Sequence, residues 1–382
     1  MAGALNIVTK AYVVNKADDP FVLTDVVLDG LREDEVLVEV KYTGVCHSDI
    51  FAQKGLVAIK EFPAVLGHEG AGIVRQVGPG VPSDRLAPGD TVQLTFRSCG
   101  RCRACLEGRS ATCPSVNEIN LLATGRDDGT SPISLPDGTP VYGQFFGQSS
   151  FSKLVIVPQT AAVKVDVRPE DLAFLAPLSC GYMTGAGTVL NVLQPKSVDS
   201  IAVLGVGSVG LAAMLAAKSL GLEEIIAVDI QDSKLQIALE LGAKHTINTK
   251  TNSDLNAAIR NILPDGVNFV VDTTSSRSLM EAAFQSLAAA GTLALVGAAG
   301  PEARIEVSPF SLVSGSRRVI GVAEGGANPQ TFIPHMIQLY YDGKMPLDRL
   351  AKIYPATDLD RAIEDLRKGS VVKPILSWEG IN

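Results

Sequence analysis

Six cysteines lie along this chain, and their spacing is uneven in a chemically meaningful way. Cys99, Cys102, Cys105 and Cys113 fall within fifteen residues, with two, two and seven positions between neighbours. Four thiolates on one short excursion can close around a tetrahedral zinc ion and leave no coordination position open, so this site should be structural. Four thiolates also suit an iron–sulfur cluster, but nothing else in the chain points to electron transfer. The remaining alternative is a set of reduced surface cysteines.

The other two cysteines lie far from this lobe. Cys46 stands in Gly44-Val-Cys46-His47-Ser48-Asp49, and Cys180 in Pro177-Leu-Ser-Cys180-Gly181. Between them lies Gly67-His68-Glu69-Gly70, a His-Glu step flanked by glycines. Two thiolates and an imidazole would make a neutral three-ligand zinc site with one open position, the arrangement of a catalytic zinc. Spacing alone does not bring the three together. Taken singly, each cysteine is as readily a small buried apolar residue, and His68 a hydrogen-bonded structural histidine.

A third signal is Gly205-Val-Gly207-Ser-Val-Gly210, directly after the strand-like Ile201–Leu204 and opening a helical run. The first glycine permits the tight turn, the second lets a pyrophosphate approach the backbone, and the third lets helix and strand pack closely. Backbone N–H groups at the helix N-terminus would then hold the phosphates. Asp229 follows nineteen residues after Gly210, at the end of the next strand-like run. A carboxylate there accepts hydrogen bonds from an adenosine ribose and repels a 2′-phosphate, which favours NAD over NADP. The plain alternative is a packing turn with a surface aspartate.

These residues need elements to hold them. Ala11–Val14, Glu35–Tyr42, Ala71–Val77 and Thr91–Thr95 have the pattern of short strands without intervening helices, which predicts an antiparallel, partly barrel-like β unit. Ala123–Ser152 reads as a long glycine-rich connection carrying the turn signal Pro136-Asp137-Gly138. After Cys180 the pattern changes. Ile201–Leu204, Ile225–Val228, Thr246–Ile247, Asn268–Val271, Thr292–Val296 and Arg318–Val322 alternate with helical runs, including Asp232–Leu241 and Ser276–Ala289. Six such strands fit a doubly wound α/β fold with a parallel sheet. The tail predicts helices at Pro329–Tyr341 and Asp358–Lys368 and a strand at Val371–Trp378 that could rejoin the first unit. The expected division is residues 1–181, a nucleotide domain at 182–323, and a return segment at 324–382.

Composition bounds the rest. At roughly 150 residues per domain, 382 residues suggest two domains or three. Apolar residues at 46% and charged residues at 19% support a sizeable core and exclude a disordered chain. A net charge of -8, without basic clusters, argues against general nucleic-acid or anionic-membrane binding. MAGALNIVTK lacks a basic segment followed by a long apolar one, so no secretory signal is expected. Ser200–Ala217 and Ala282–Pro301 are long enough uncharged stretches for a membrane span, but glycines interrupt both, and buried α/β units explain them better. The expectation is a cytoplasmic protein, where clustered cysteines read as metal ligands before disulfides.

Taken together and in order, these motifs resemble the zinc-containing alcohol dehydrogenases of the medium-chain dehydrogenase/reductase family. Within it the chain looks most like the aryl- and allylic-alcohol (benzyl, geranyl) branch, through Phe145-Phe-Gly-Gln-Ser-Ser-Phe151 and an apolar Phe51 two positions beyond Asp49. The resemblance implies a GroES-like catalytic domain with a Rossmann domain, two zinc ions per chain, NAD, a small alcohol or aldehyde substrate and a homodimer or homotetramer. It implies that zinc held by Cys46, His68 and Cys180 polarises the substrate oxygen, that Ser48 takes the alcohol proton and that Asp49 orients His68. Glu69 is implied near the metal, Thr184 beside the nicotinamide, and His47 and Lys373 facing the pyrophosphate. Many relatives carry a histidine where Phe51 stands, so the proton is expected to leave Ser48 without that last step. A short aliphatic, polyol or secondary alcohol dehydrogenase is the nearest alternative. A non-catalytic nucleotide-binding module is the alternative of another class, and it would have no need of Cys46, Ser48, His68 and Cys180 together.

Overall fold

The computed structural model describes residues 6–123, 126, 128–297, 299–300 and 302–381. The first five residues of the N-terminal segment, part of the Ala123–Ser152 connection and two positions of the Ala282–Pro301 stretch therefore lie outside it. The chain divides into two compact units, one of Met1–Cys180, Asn328–Ile337 and Leu347–Asn382, the other of Gly181–Ala327 and Gln338–Pro346. Within 324–382, then, Gln338–Pro346 falls in the second unit.

The first unit is built on antiparallel pairing. Its long strand Glu35–Gly44 carries Val36, Leu37, Val38 and Val40 into the core and pairs with Gly70–Val77, Leu154–Pro158 and Lys373–Ser377. The closing strand at the C-terminus thus rejoins the N-terminal unit, with Ile375 opposite Gly44. A second sheet joins Ile7–Val14, Val22–Leu28 and three shorter strands. A short helix, His47–Gln53, interrupts the strands directly after Gly44. The Ala123–Ser152 connection is not wholly irregular. Ile133–Ser134 and Pro140–Val141 pair across the Pro136-Asp137-Gly138 turn, where Gly138 takes φ +89°.

The second unit holds six parallel strands in the order 3-2-1-4-5-6, the doubly wound order, beginning with Ser200–Leu204 as strand 1. Every residue of Ser200–Leu204 is buried, as a central strand covered on both faces requires. The helix Ser208–Ser219 is buried continuously from Gly210 to Ala217, which explains the apolar length of Ser200–Ala217 without a membrane. No single helix among the described residues is long and apolar enough to cross one.

One helix expectation needs correction. The run Ser276–Ala289 is helical only over Arg277–Ser286, and Leu287–Leu295 is a strand. Leu287 pairs with Val267 and is fully buried, and after a register shift Thr292–Leu295 pair with Phe269–Asp272, so the helix stops before the alanines. The helix Asp232–Leu241 has the expected bounds; Gln231 is its N-cap, and Asp232 accepts from Asn248 Nδ2 at 2.6 Å.

Candidate active site

The strand Glu35–Gly44 delivers the chain to Cys46, which forms the N-cap of the helix His47–Gln53. Asp49 in its first turn is fully buried and holds three donors. Oδ2 accepts from the Cys46 backbone N–H at 3.0 Å, and Oδ1 accepts from the Gly67 N–H at 3.1 Å and from His68 Nδ1 at 2.7 Å. A carboxylate can only accept, so Nδ1 carries the proton and Nε2 faces the other way. Nε2 lies 3.2 Å from Cys180 Sγ. The donor atoms of Cys46, His68, Glu69 and Cys180 all lie within 4.8 Å of one another, although 134 residues of sequence separate the first from the last. Ser48 Oγ is 3.8 Å from Cys46 Sγ.

The charges around this centre favour a cation. The hydrogen bond from Cys180 holds the Cys46 thiol well below its usual range against the opposing effect of burial, with Lys373 and His68 adding to the shift. Burial opposes a charged His68, but the Asp49 carboxylate beside it carries the imidazole well above its usual range. A metal ion here would meet an imidazole nitrogen and a sulfur held towards its thiolate form. Two sulfurs and a nitrogen are also the donor set zinc prefers.

The family resemblance implies that Lys373 faces the pyrophosphate. The structure buries it, 2% exposed, against Glu69, with Nζ at 2.8 and 2.9 Å from the two carboxylate oxygens and 3.4 Å from the Val45 carbonyl. Lys373 would have to leave Glu69 to meet a pyrophosphate. Gly44 makes the pair possible, since a Cβ there would overlap the Glu69 carboxylate. His47 is exposed on the same helix as Ser48, with its ring centroid 6.2 Å from that of Phe51.

The segment Phe145–Gln148 makes two contacts with this centre that its sequence does not specify. Phe146 stacks on the His68 imidazole at 4.9 Å, with Phe145 edge-on at 5.6 Å. Gln148 reaches the backbone on both sides of Glu69, accepting from Gly70 N–H at 2.9 Å and donating to the His68 carbonyl at 2.8 Å. The Phe-Phe-Gly-Gln run was the available signal, but nothing in it says what the segment packs on.

The four-cysteine lobe forms its own cluster, with all four sulfurs within 4.8 Å of one another. All six cysteines are free of disulfides. Backbone N–H groups of Arg101 and Cys102 bring Cys99 down to about 6, while burial pushes Cys113 up to about 11.

In the second unit Gly205 takes φ +83° at the turn, and a Cβ on Gly210 would overlap the Gly205 carbonyl. A Cβ on Gly207 would meet nothing within 4 Å, so the backbone there is open to a ligand. Asp229 closes the turn, accepting from Val206 N–H at 3.0 Å and from Ile230 and Gln231 N–H at 2.7 and 3.0 Å. Thr184, in the helix Gly181–Gly187, donates to Glu324 at 3.4 Å.

A cation-seeking donor pocket on a β unit and an open glycine turn on a doubly wound sheet are the two halves of a metal-dependent dehydrogenase. Residues 32–167 match the alcohol dehydrogenase GroES-like domain and residues 208–341 the zinc-binding dehydrogenase domain. The chain belongs to the zinc-dependent alcohol dehydrogenases of the medium-chain dehydrogenase/reductase family, enzymes that interconvert alcohols and aldehydes. It is 36% identical to the geraniol dehydrogenase of Castellaniella defragrans over 96% of this chain and 97% of that one. The crystal structure of benzyl alcohol dehydrogenase from Acinetobacter calcoaceticus matches at a TM-score of 0.91 and 37% identity, over 97% of this chain and 99% of that one. An alcohol dehydrogenase zinc-binding domain protein from Burkholderia ambifaria matches at 0.92 and 40%, over the same shares.

Proposed function

We propose that this enzyme interconverts bulky benzylic or allylic primary alcohols and their aldehydes with NAD(H), holding two zinc ions per chain. The observation that carries the substrate class is Phe146, half-buried and stacked on His68, which puts an aromatic ring beside the donor cluster for a flat, conjugated substrate. Relatives named for geraniol and benzyl alcohol support the same reading.

Cys46, His68 and Cys180 would hold the catalytic zinc, and Cys99, Cys102, Cys105 and Cys113 the structural one. When bound, zinc supplies Lewis-acid polarisation of the alcohol oxygen, and NAD supplies the hydride acceptor. Asp49 keeps the His68 ring oriented, and Ser48 Oγ accepts the alcohol proton. Phe51 offers that proton no further side-chain base, so it passes from Ser48 towards solvent. Glu69, paired with Lys373, keeps a buried carboxylate at the donor cluster. Gly205, Gly207 and Gly210 would cradle the pyrophosphate and Asp229 the adenosine ribose, with Thr184 at the nicotinamide and His47 towards the phosphates. The cytoplasmic setting and the homodimer or homotetramer belong to the same proposal.

NADH formation by the zinc-replete protein with benzyl alcohol, cinnamyl alcohol and ethanol tests this, with NADP run in parallel. The expected result is strong turnover of the first two with NAD alone. A preference for ethanol would move the enzyme to the short-chain alternative, and turnover with NADP would remove the role given to Asp229.

A further inference from the structure

The candidate metal centre has a mechanical weakness. Gly67-His68-Glu69-Gly70 places its His-Glu step between two glycines, one of them at φ +89°, where the backbone is least constrained by its own residues. Asp49 fixes the tilt of the His68 ring and the Gly67 N–H, but it makes no bond beyond His68. Beyond His68 the Glu69 carbonyl takes the Gly44 N–H at 2.9 Å, which leaves the His68 carbonyl and the Gly70 N–H to be held.

The segment Gln144–Ser149 is built to do so. Gln144, Phe146 and Ser149 take φ of 60°, 50° and 53°, a region that residues with a Cβ rarely adopt and that the surroundings must impose. Hydrogen bonds to neighbouring segments impose it. Ser149 Oγ donates to the Val65 carbonyl at 2.6 Å and accepts from Phe145 N–H at 2.9 Å. Ser150 N–H and Phe151 N–H donate to the Gly67 and Leu66 carbonyls, both at 2.9 Å. The segment is thus laced to the residues that lead into His68, and the lacing sets Gln148, 1% exposed, over Glu69.

Both ends of the Gln148 carboxamide are used there, and they straddle one residue. Oε1 takes the Gly70 N–H and Nε2 gives to the His68 carbonyl, so one side chain ties down the peptide groups before and after Glu69. Ser179 Oγ reaches the same carbonyl only at 3.3 Å. A carboxylate could accept from Gly70 but not donate to His68, and an apolar side chain could do neither.

We propose that Gln148 is a positioning residue for the catalytic metal site, clamping the His68–Gly70 backbone so that the imidazole and the Glu69 carboxylate stay with Cys46 and Cys180. The inference rests on the reading that Cys46, His68 and Cys180 hold zinc. Partners one step removed from the ligands commonly change metal affinity by about 10- to 100-fold when lost.

The test is zinc release from the full-length, zinc-replete protein to a chromophoric chelator, for the wild type, Gln148→Met and Gln148→Glu. In Gln148→Met one of the two zinc ions should leave about 10-fold faster or more, while the other keeps its wild-type rate. Gln148→Glu retains the acceptor for Gly70 and serves if the methionine variant does not fold; it should release the same ion faster by a smaller factor. With cobalt in that site, the thiolate-to-cobalt absorption band should shift in both variants. Equal acceleration of both ions would mean a general loss of stability and would overturn the clamp, as would wild-type release and an unmoved cobalt band. A wild-type protein holding a single zinc would instead overturn the underlying reading of Cys46, His68 and Cys180.

Discussion

Asp49 shows how much of this enzyme turns on single side chains. One carboxylate holds a helix N-terminus, a glycine turn and the ring of a candidate metal ligand. Ser48 beside it is the group assigned to the alcohol proton, and general acid–base groups of this kind contribute roughly 10²–10⁴-fold. Ser48→Ala should therefore lower kcat by about 10²-fold or more, and steady-state turnover with benzyl alcohol measures it. Unchanged turnover would remove Ser48 from the proton path. Asp229 is preset in the same manner, its oxygens held by three backbone donors. Asp229→Ala should raise the ratio of kcat/KM for NADP over NAD by about tenfold, worth ~1.4 kcal/mol, in paired kinetics with the two cofactors.

At the scale of elements, the strand Glu35–Gly44 must be held in place because it ends two residues before Cys46. Glu39 on that strand meets Lys41 at 2.6 Å, Lys153 at 3.1 Å and Arg75 Nε at 2.6 Å. Burial alone would raise its carboxyl, but these donors outweigh it and bring Glu39 down to about 2. A depressed carboxyl contributes stability above its unfolded value, and that contribution is lost as pH falls through the folded value. Glu39→Gln should thus cost about 2 kcal/mol near neutral pH, with the gap to wild type closing between roughly pH 4.5 and pH 2 in denaturant unfolding. A gap that stays constant over that range would show that the ion cluster contributes nothing there. Elements were largely legible from periodicity wherever a strand or helix stands between clear breaks, as at Asp232–Leu241 and Pro329–Tyr341. The run Ser276–Ala289 departs from this for a tertiary reason. Leu287–Ala290 has the composition of a helix end, but Leu287 pairs with Val267, twenty residues upstream, and the chain runs on through a register shift into the paired Thr292–Leu295.

For the whole molecule, two separate sulfur clusters predict a simple stoichiometry. Metal analysis of purified protein should give two zinc ions per chain, and Cys46→Ser or Cys105→Ser should each give one. A variant that lost both ions would mean the clusters are not independent. The four-cysteine lobe was legible because its ligands lie within fifteen residues, so chain geometry alone keeps them together. The glycine turn was legible for the same reason, as a local device between a strand and its helix. Cys46, His68 and Cys180 were legible only as candidates, since each alone could be an ordinary buried residue.

What the sequence determined by itself is therefore everything local: the lobe, the turn, most strand and helix positions, and the change from antiparallel to alternating architecture after Cys180. What only the tertiary structure decided is which distant residues share a centre. Lys373 lies against Glu69, 304 residues away, and Gln148 against His68, 80 residues away. No periodicity or spacing encodes such meetings, because they depend on sheet register and on which turn is laced to which strand. The energies that set them come from burial and hydrogen bonding between segments far apart in the chain.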